Sequence, residues 1–287
     1  MSSCSVLRFA LLAAVIASPS SAVADSGPLV SVSWLSAHLH DRGLVLLHVG
    51  DDYQARHIPG AQPMPFDVFA ADRHGLSVEL PDPAAFRARL AAAGVGDDSS
   101  IVVYAGSYPG SSRAMVHPAS RLVFTLEAMG FDRVVLLDGG LAAWIAHGGP
   151  VSAGATAAVT GRLSVLAPRS LVVDAAFVKA HEHVQGFAIV DSRPAAAYEE
   201  RMEGGGAGHV PGAISIPAND LFASDSSFLA RDRLQAIFDR AGVKPGDTVV
   251  AYCAVGLVAT STIVAARLLG HPVLLYDGSF EDWSARR

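Results

Sequence analysis

The stretch "VVAYCAVGLVATSTIVAARLLG", residues 249–270, decides the fold because a strand-like sequence gives way to a different apolar segment at one glycine. It begins with "VVAY", a typical strand sequence, is interrupted at Gly256, and continues as an apolar segment containing three consecutive hydroxyl residues. Its uncharged part is nearly long enough to cross a membrane, but the glycine and the hydroxyl residues argue against a span. We therefore predict a buried strand, a tight loop and a buried helix, with Cys253 in the turn.

Four motifs occur twice along the chain, in the same order. Repetition of this kind indicates a duplicated domain. A segment of small, uncharged residues, "VSAGATAAVTG" at 151–161, lies between the copies and is typical of a linker. The paired motifs are "HIPGA" at 57–61 with "HVPGA" at 209–213, "IVVY" ending at Tyr104 with "VVAY" ending at Tyr252, "ASRLVFTLEAMG" at 119–130 with "ATSTIVAARLLG" at 259–270, and "LLDGGLAAW" ending at Trp144 with "LYDGSFEDW" ending at Trp283.

Short apolar strands alternate with amphipathic helices in each half. The segments "LVLLHVG" at 44–50 and "GFAIVDSR" at 186–193 are nearly continuous apolar runs, as expected for strands covered on both faces of a parallel sheet. The segments "DPAAFRARLAAAGV" at 82–95 and "ARDRLQAIFDRAGV" at 230–243 have helical periodicity and end near a glycine. The fold class is therefore α/β, with two tandem domains, each an open, mainly parallel sheet flanked by helices. Such sheets place their sites at the carboxyl ends of the strands.

The N-terminus predicts export. Residues 1–24 combine the basic Arg8, the apolar run "FALLAAVIA" and a small-residue cleavage site ending at Ala24. The mature protein is expected to be periplasmic or secreted and not held in a membrane, the alternative being an uncleaved N-terminal anchor. The predicted organisation is a signal peptide over 1–24, an N-terminal domain over 25–150, a linker over 151–165 and a C-terminal domain over 166–287.

Composition narrows the possible functions. Of the 287 residues, 51% are hydrophobic and 17% charged, so a sizeable core is available and disorder is not expected. The net charge of -6 and the lack of a basic block argue against nucleic-acid binding. The "HEH" segment is expected to lie on a surface helix, where His181 and His183 would not share a face, and no third ligand is evident. No metal or other cofactor is therefore expected.

Cys253 is the only thiol expected in the mature chain, because Cys4 lies in the predicted signal peptide. It is either a nucleophile or an inert, buried cysteine. The first copy has Ala105 instead, and its loop is eight residues longer: Ala119 follows Tyr104 by 15 positions, whereas Ala259 follows Tyr252 by 7. This difference favours a nucleophile.

The tight turn after Cys253 is expected to bind an anion through its backbone. Successive N–H groups of Ala254, Val255, Gly256, Leu257 and Val258, together with the start of the next helix, form an anion-binding concavity. A thiolate or a persulfide would be stabilised there without any charged side chain. These five residues are therefore the predicted substrate-binding loop.

The motifs "YCAVGLVAT", "YDGSFEDW", "HVPGA" and "VDSR" together resemble those of the rhodanese sulfurtransferases, over essentially the whole mature chain. The resemblance is to the tandem form, in which an inactive N-terminal domain precedes a catalytic one. It implies that Cys253 takes a sulfane sulfur as a persulfide and passes it to cyanide or a thiol. Thiosulfate is the first expected donor; the alternatives are a 3-mercaptopyruvate sulfurtransferase and a non-catalytic, persulfide-carrying module. A monomer acting on small molecules is expected.

Arg193, in "VDSRP", matches the substrate-binding arginine of that family, and a guanidinium suits an oxyanion donor. The alternative is that Arg193 only pairs with Asp191 or with the glutamates at 199–200. Arg201 is a weaker second candidate. Thiosulfate-specific relatives often carry basic residues directly after the cysteine, where this chain has Ala254 and Val255, so the resemblance supports sulfur transfer more firmly than it supports a particular donor.

Overall fold

The computed structural model describes residues 27–107, 116–157, 160–200 and 208–286. The predicted signal peptide and Arg201 lie outside these ranges. The described chain forms two units, each built on a five-stranded parallel sheet. The predicted fold class, two tandem α/β domains, is therefore confirmed.

The first unit contains seven strands, two of which form a separate hairpin, and five helices among the described residues. The strands are β1 (Leu29–Val30), β2 (Leu44–Val49), β3 (Gln62–Pro63), β4 (Ala71–Arg73), β5 (Leu76–Glu79), β6 (Ser100–Ala105) and β7 (Val134–Leu137). The helices are α1 (Val32–His38), α2 (Phe66–Phe69), α3 (Pro83–Ala92), α4 (Val116–Ala128) and α5 (Gly140–Ala146).

The second unit repeats the order of the five sheet strands, but it has an additional short helix and a 3₁₀ turn at Ala218–Leu221, and its described residues contain no strands that correspond to β4 and β5. Its strands are β8 (Val172–Val173), β9 (Phe187–Asp191), β10 (Ile214–Ser215), β11 (Thr248–Tyr252) and β12 (Val273–Tyr276). Its helices are α6 (Ala175–Ala180), α7 (Ala195–Glu199), α8 (Arg231–Ala241), α9 (Ala259–Leu269) and α10 (Ser279–Ala285).

The two sheets have the same topology. The strand order is β1-β7-β6-β2-β3 in the first sheet and β8-β12-β11-β9-β10 in the second. The central strands are fully covered, because helices lie on both faces, and this explains why their sequences are continuous rather than alternating apolar runs. In equivalent registers, His48 lies opposite Tyr104 and Asp191 lies opposite Tyr252.

The duplicated helices α4 and α9 pack against each other between the two units. Both are buried along most of their length, and the Ser261 hydroxyl lies 3.2 Å from the Ser120 hydroxyl across this contact. The apolar character of "ATSTIVAARLLG" thus reflects burial between domains. No helix in the described part of the chain is long and apolar enough to span a membrane.

Two local expectations can be compared with the structure. Helix α8 ends at Gly242, whose φ of 92° is a left-handed cap, as the glycine predicted. The "HEH" segment does not form part of a helix: α6 ends at Ala180, His181 is its C-cap, and His183 has a φ of 61°. The expectation of a surface helix at that point was wrong, because the chain turns there toward β9.

Candidate active site

Cys253 directly follows β11, at the carboxyl edge of the second sheet. Because Tyr252 pairs with Asp191, the next residue along each strand, Cys253 and Ser192, lie side by side where the chains leave the sheet. The Ser192 amide donates to the Tyr252 carbonyl at 2.8 Å and fixes this arrangement. Cys253 is a free cysteine with 1% of its surface exposed. The thiol is therefore buried, and only the loop after it reaches the surface.

The loop at 254–258 turns tightly into α9 because Gly256 adopts a conformation that other residues rarely adopt. Its φ is +83°, and a Cβ atom there would lie 2.7 Å from the Asp277 carbonyl oxygen. Ala254 is exposed, Gly256 is buried, and the other three residues are half-buried. Within the described ranges, no protein acceptor is found for the backbone N–H groups of these five residues. In the described structure the loop therefore presents unsatisfied donors, whereas the Thr260 and Ser261 amides of α9 are bound by the Leu257 and Val258 carbonyls.

The first turn of α10 holds the carbonyl side of the loop. The Phe280 amide donates to the Cys253 carbonyl at 3.0 Å, and the Glu281 amide donates to the Ala254 carbonyl at 3.0 Å. In a planar trans peptide the C=O and the next N–H point in opposite directions. The N–H groups of Ala254 and Val255 consequently point away from α10, which leaves them available to an anion.

Ser279 is a site residue that the sequence analysis missed. Its hydroxyl accepts the Cys253 N–H at 3.1 Å and donates to the Tyr276 carbonyl at 2.9 Å. Ser279 is fully buried and has a φ of 53°, which is unfavourable for a residue with a side chain. The aligned residue in the first copy is Gly140, which has a φ of 55° and no hydroxyl. The serine thus keeps a strained conformation at a point where it holds the backbone of the cysteine.

Arg193 lies at the end of β9 and forms a buried ion pair with Asp191. Its Nη2 atom lies 2.6 Å from Asp191 Oδ2, and its Nε atom lies 3.0 Å from Oδ1. The Tyr252 hydroxyl also donates to Asp191, at 2.7 Å. Burial by itself would lower the pKa of Arg193, but the hydrogen bonds and charge of Asp191 outweigh it and raise that pKa. The pairing with Asp191 that we considered as an alternative is therefore present.

The pairing does not use all of the Arg193 guanidinium. Nη2 also donates to the Gly208 carbonyl at 2.5 Å, and the group lies 4.0 Å above the Phe280 ring. In the described part of the chain, Nη1 has no hydrogen-bond acceptor. Phe280 is the residue whose amide binds the Cys253 carbonyl, so Arg193 and the cysteine loop share a neighbour.

Arg121, from helix α4 of the first unit, lies beneath the cysteine loop. It is 0% exposed and pairs with Asp277, with Nη1–Oδ1 at 2.5 Å and Nη2–Oδ2 at 3.2 Å. It also donates to the carbonyls of Gly256, at 3.3 Å, and Val78, at 2.5 Å. Sequence reasoning missed this contact between domains, although an arginine inside an apolar helix segment was a visible signal.

The equivalent edge of the first sheet is closed. Ala105 takes the place of the cysteine, and a Cβ atom on Gly50, the counterpart of Arg193, would lie 2.9 Å from the Gly106 Cα atom. Asp52 fills the remaining space and accepts from the Ser107 amide at 2.9 Å and hydroxyl at 2.7 Å. These two positions therefore carry neither a thiol nor a counterpart of Arg193, and the Arg56 guanidinium binds Asp52 and Ser107 instead. Among the described residues of both units, no group of three or more His, Cys, Asp or Glu could hold a metal ion.

Comparison with known proteins agrees with this geometry. The family model of the rhodanese-like domain matches residues 31–147 and 174–286. A Pseudomonas aeruginosa protein named "Probable 3-mercaptopyruvate sulfurtransferase" is 33% identical over 278 residues, which cover 90% of this chain and 95% of that protein. The chicken (Gallus gallus) thiosulfate sulfurtransferase is 28% identical, over 90% of this chain and 93% of that protein.

A solved structure has the same fold. The crystal structure of SseA from Escherichia coli, described as a 3-mercaptopyruvate sulfotransferase, superposes with a TM-score of 0.77 and 26% identity. The match covers 88% of this chain and 99% of SseA. Two matched domains, a full-length curated relative and a common fold lead to one conclusion. The chain belongs to the rhodanese family of sulfurtransferases, with two rhodanese-like domains in tandem.

Proposed function

We propose that the protein transfers a sulfane sulfur through a persulfide on Cys253. In the first half-reaction the Cys253 thiolate attacks the sulfur atom that the donor gives up, and a new S–S bond forms. The bond between that sulfur and the rest of the donor breaks. In the second half-reaction cyanide or a thiolate attacks the outer sulfur of the persulfide. The Cys253 thiolate is then released, and the acceptor leaves as thiocyanate or as a new persulfide.

One observation carries this proposal: a buried cysteine is directly followed by a loop whose five backbone N–H groups, in the described structure, have no protein acceptor. Such donors stabilise a thiolate and a persulfide anion alike, so the same loop serves both half-reactions. The matching position of the first unit has Ala105, and Asp52 binds the amide and hydroxyl of Ser107 directly after it, which supports a single active site per chain.

We propose 3-mercaptopyruvate as the preferred donor. Thiosulfate was the first expectation from the sequence, but the geometry of Arg193 supports a donor with less charge near the sulfur. Asp191 neutralises that guanidinium, and the cysteine loop, residues 254–258, carries no cation. The Nη1 atom, which has no acceptor among the described residues, suits the single carboxylate of 3-mercaptopyruvate. Attack on its sulfur breaks a C–S bond, and the departing enolate takes a proton to become pyruvate.

Thiosulfate remains the second candidate donor. Its sulfite group is an oxyanion that the N–H groups of the cysteine loop suit, and it leaves as sulfite when the S–S bond breaks. The chicken relative carries the name of a thiosulfate sulfurtransferase, and the Pseudomonas relative that of a 3-mercaptopyruvate sulfurtransferase. The relatives' names therefore support both donors.

Steady-state assays with both donors, with cyanide as acceptor, test this assignment. We expect a higher kcat/KM with 3-mercaptopyruvate than with thiosulfate, and no thiocyanate above background from Cys253→Ser. Val255→Lys, which adds a cation to the loop, should lower the KM for thiosulfate. Undiminished turnover by Cys253→Ser would refute the proposed function. Persulfide formation without turnover on either donor would identify a persulfide-carrying module instead.

We also propose that the protein is exported. This proposal is supported by the signal-peptide pattern of residues 1–24. N-terminal sequencing of protein from fractionated cells tests it: a mature chain beginning at Asp25, outside the cytoplasm, is expected. A chain retained in the cytoplasm with its first 24 residues intact would overturn the proposal.

A further inference from the structure

The two units contact each other through reciprocal, nearly symmetric contacts. The hairpin strand β5 of the first unit leads to Leu80, whose amide donates to Asp277 Oδ2 at 3.1 Å. In the opposite direction, the Phe228 amide of the second unit donates to Asp138 Oδ1 at 2.8 Å. Asp138 and Asp277 are aligned residues of the duplicated "DG" motifs. Each unit therefore donates a backbone hydrogen bond to the aspartate that follows β7 or β12 of the other unit.

This symmetry is broken at one helix position. Arg121 of α4 aligns with Ser261 of α9. Arg121 reaches across to Asp277 and to the Gly256 carbonyl, whereas Ser261 contacts His117 and Ser120. The guanidinium thus lies under the loop that contains the thiol and comes from the copy that lacks one. If the arginine only stabilised the interface, it could equally come from α9 of the second unit, where Ser261 occupies the aligned position.

The contact with Gly256 has a geometric consequence for the loop. Holding the Gly256 carbonyl on one side forces the N–H of Leu257, in the same planar peptide, to point to the other side. In the same manner, the Phe280 and Glu281 amides hold two carbonyls earlier in the chain, those of Cys253 and Ala254. Arg121 therefore fixes the last part of a loop whose first part α10 fixes. Its planar fork can bind Asp277 and two carbonyls together, which a lysine cannot do.

We propose that Arg121 is a positioning residue for sulfur transfer: the inactive domain uses it to orient the anion-binding loop after Cys253. The inference rests on the proposed function of that loop. It assigns to the first domain a role in the chemistry of the second, without any contact to the substrate.

Three variants test it in the full-length protein. Arg121→Lys keeps a positive charge beside Asp277 but loses the fork. The double variant Arg121→Met with Asp277→Asn removes the ion pair without leaving a buried unpaired charge. The control, Arg267→Met with Glu127→Gln, removes an ion pair between α4 and α9, which does not touch the loop. Kinetics, thermal unfolding and the pH profile of Cys253 alkylation by iodoacetamide are measured for each.

We expect both Arg121 variants to lose about ten- to hundredfold in kcat with a smaller change in KM, as for a displaced reacting group. Cys253 should react more slowly with iodoacetamide in both, because the thiolate loses oriented donors. The control should unfold at a lower temperature but keep wild-type kcat and alkylation. Wild-type kcat and alkylation in either folded Arg121 variant, or an equal loss in the control, would overturn the inference. An inactive wild-type protein would instead contradict the proposed function, while alkylation would still test the loop geometry.

Discussion

At the scale of single residues, the site depends on how the backbone of Cys253 is held. The thiol carries no charged neighbour in sequence, and the structure supplies backbone donors and a buried serine instead. Ser279 accepts the Cys253 N–H, and Phe280 donates to the Cys253 carbonyl. Both polar groups of the cysteine backbone are therefore satisfied by α10. The position of the sulfur follows from that helix as much as from β11.

Ser279→Gly tests this residue-level account, because glycine is what the first copy has at the aligned position, Gly140. Glycine removes the strain of a φ of 53° but leaves the Cys253 N–H without its acceptor. The unsatisfied buried donor costs about 1–3 kcal/mol of stability and the relieved strain offsets a similar amount, so we expect the melting temperature to stay level. The displaced cysteine backbone should lower kcat/KM by about tenfold or more. Assays and calorimetry on Ser279→Gly and Ser279→Ala measure this. Ser284→Ala, which removes a surface hydroxyl from the same helix, is the control; full activity in Ser279→Gly would refute the account.

At the scale of elements, the two strand-to-helix loops show how one fold loses or keeps a site. In the second unit, Gly256 lets the loop turn tightly, and the loop N–H groups have no acceptor in the part of the chain that the structure describes. In the first unit, Asp52 binds the amide and hydroxyl of Ser107, and the backbones of Gly50 and Gly106 pack closely. The same strand ends therefore offer backbone N–H groups to an anion in the second unit and are bonded to Asp52 in the first.

Gly256→Ala is the corresponding prediction for the loop. A Cβ atom would lie 2.7 Å from the Asp277 carbonyl oxygen at a φ of +83°, so the loop must shift. We expect a loss of about 1–3 kcal/mol in stability from the backbone conformation alone and at least a tenfold loss in kcat/KM. Gly270→Ala, at the other end of α9, has a similar φ of +90° with no atom within 4 Å, and should lose stability but keep activity. Equal activity of the two variants would show that loop geometry is unimportant.

At the scale of the whole molecule, a buried charged cluster joins the two domains under the active site. Arg121 and Asp277 form its centre, and Glu79 of β5 lies nearby with its Oε1 atom buried and, among the described residues, unpaired. Burial raises the pKa of Glu79 to about 7, and the charge of Asp277 adds to that rise while Arg121 opposes it. Glu79 is therefore protonated in the folded chain over a range in which the unfolded chain has already lost the proton.

The sign of the resulting pH dependence follows from linkage. Because the folded state holds the proton more tightly than the unfolded state, with a pKa of about 7 against 4.5, Glu79 reduces stability as pH rises through that interval. Glu79→Gln should therefore raise the melting temperature by roughly 2–4 °C at about pH 8, which is about 1 kcal/mol for a chain of this size, and hardly at all at about pH 4.5. Thermal unfolding at both pH values measures this. An equal effect at both would contradict it.

The features that could be predicted from the sequence are those encoded by residues close together along the chain. The duplicated α/β units follow from strand and helix periodicity, and the turn after Cys253 follows from the change of character at Gly256. Arg121 and Ser279 could not be assigned in that way, because their partners are distant in sequence: Arg121 and Gly256 are 135 positions apart. The pairing of Arg193 with Asp191 was open for a different reason: several carboxylates lie near Arg193 in sequence, and only geometry decides which one a guanidinium meets.

Peptide mapping by mass spectrometry after exposure to a donor tests the central claim most directly. Full-length protein is incubated with 3-mercaptopyruvate or thiosulfate without an acceptor, desalted and digested. The account predicts that the peptide containing Cys253 gains the mass of one sulfur atom, that cyanide removes this gain and releases thiocyanate, and that Cys253→Ser shows neither. Sulfur transfer by a protein whose Cys253 peptide never gains that mass would contradict it.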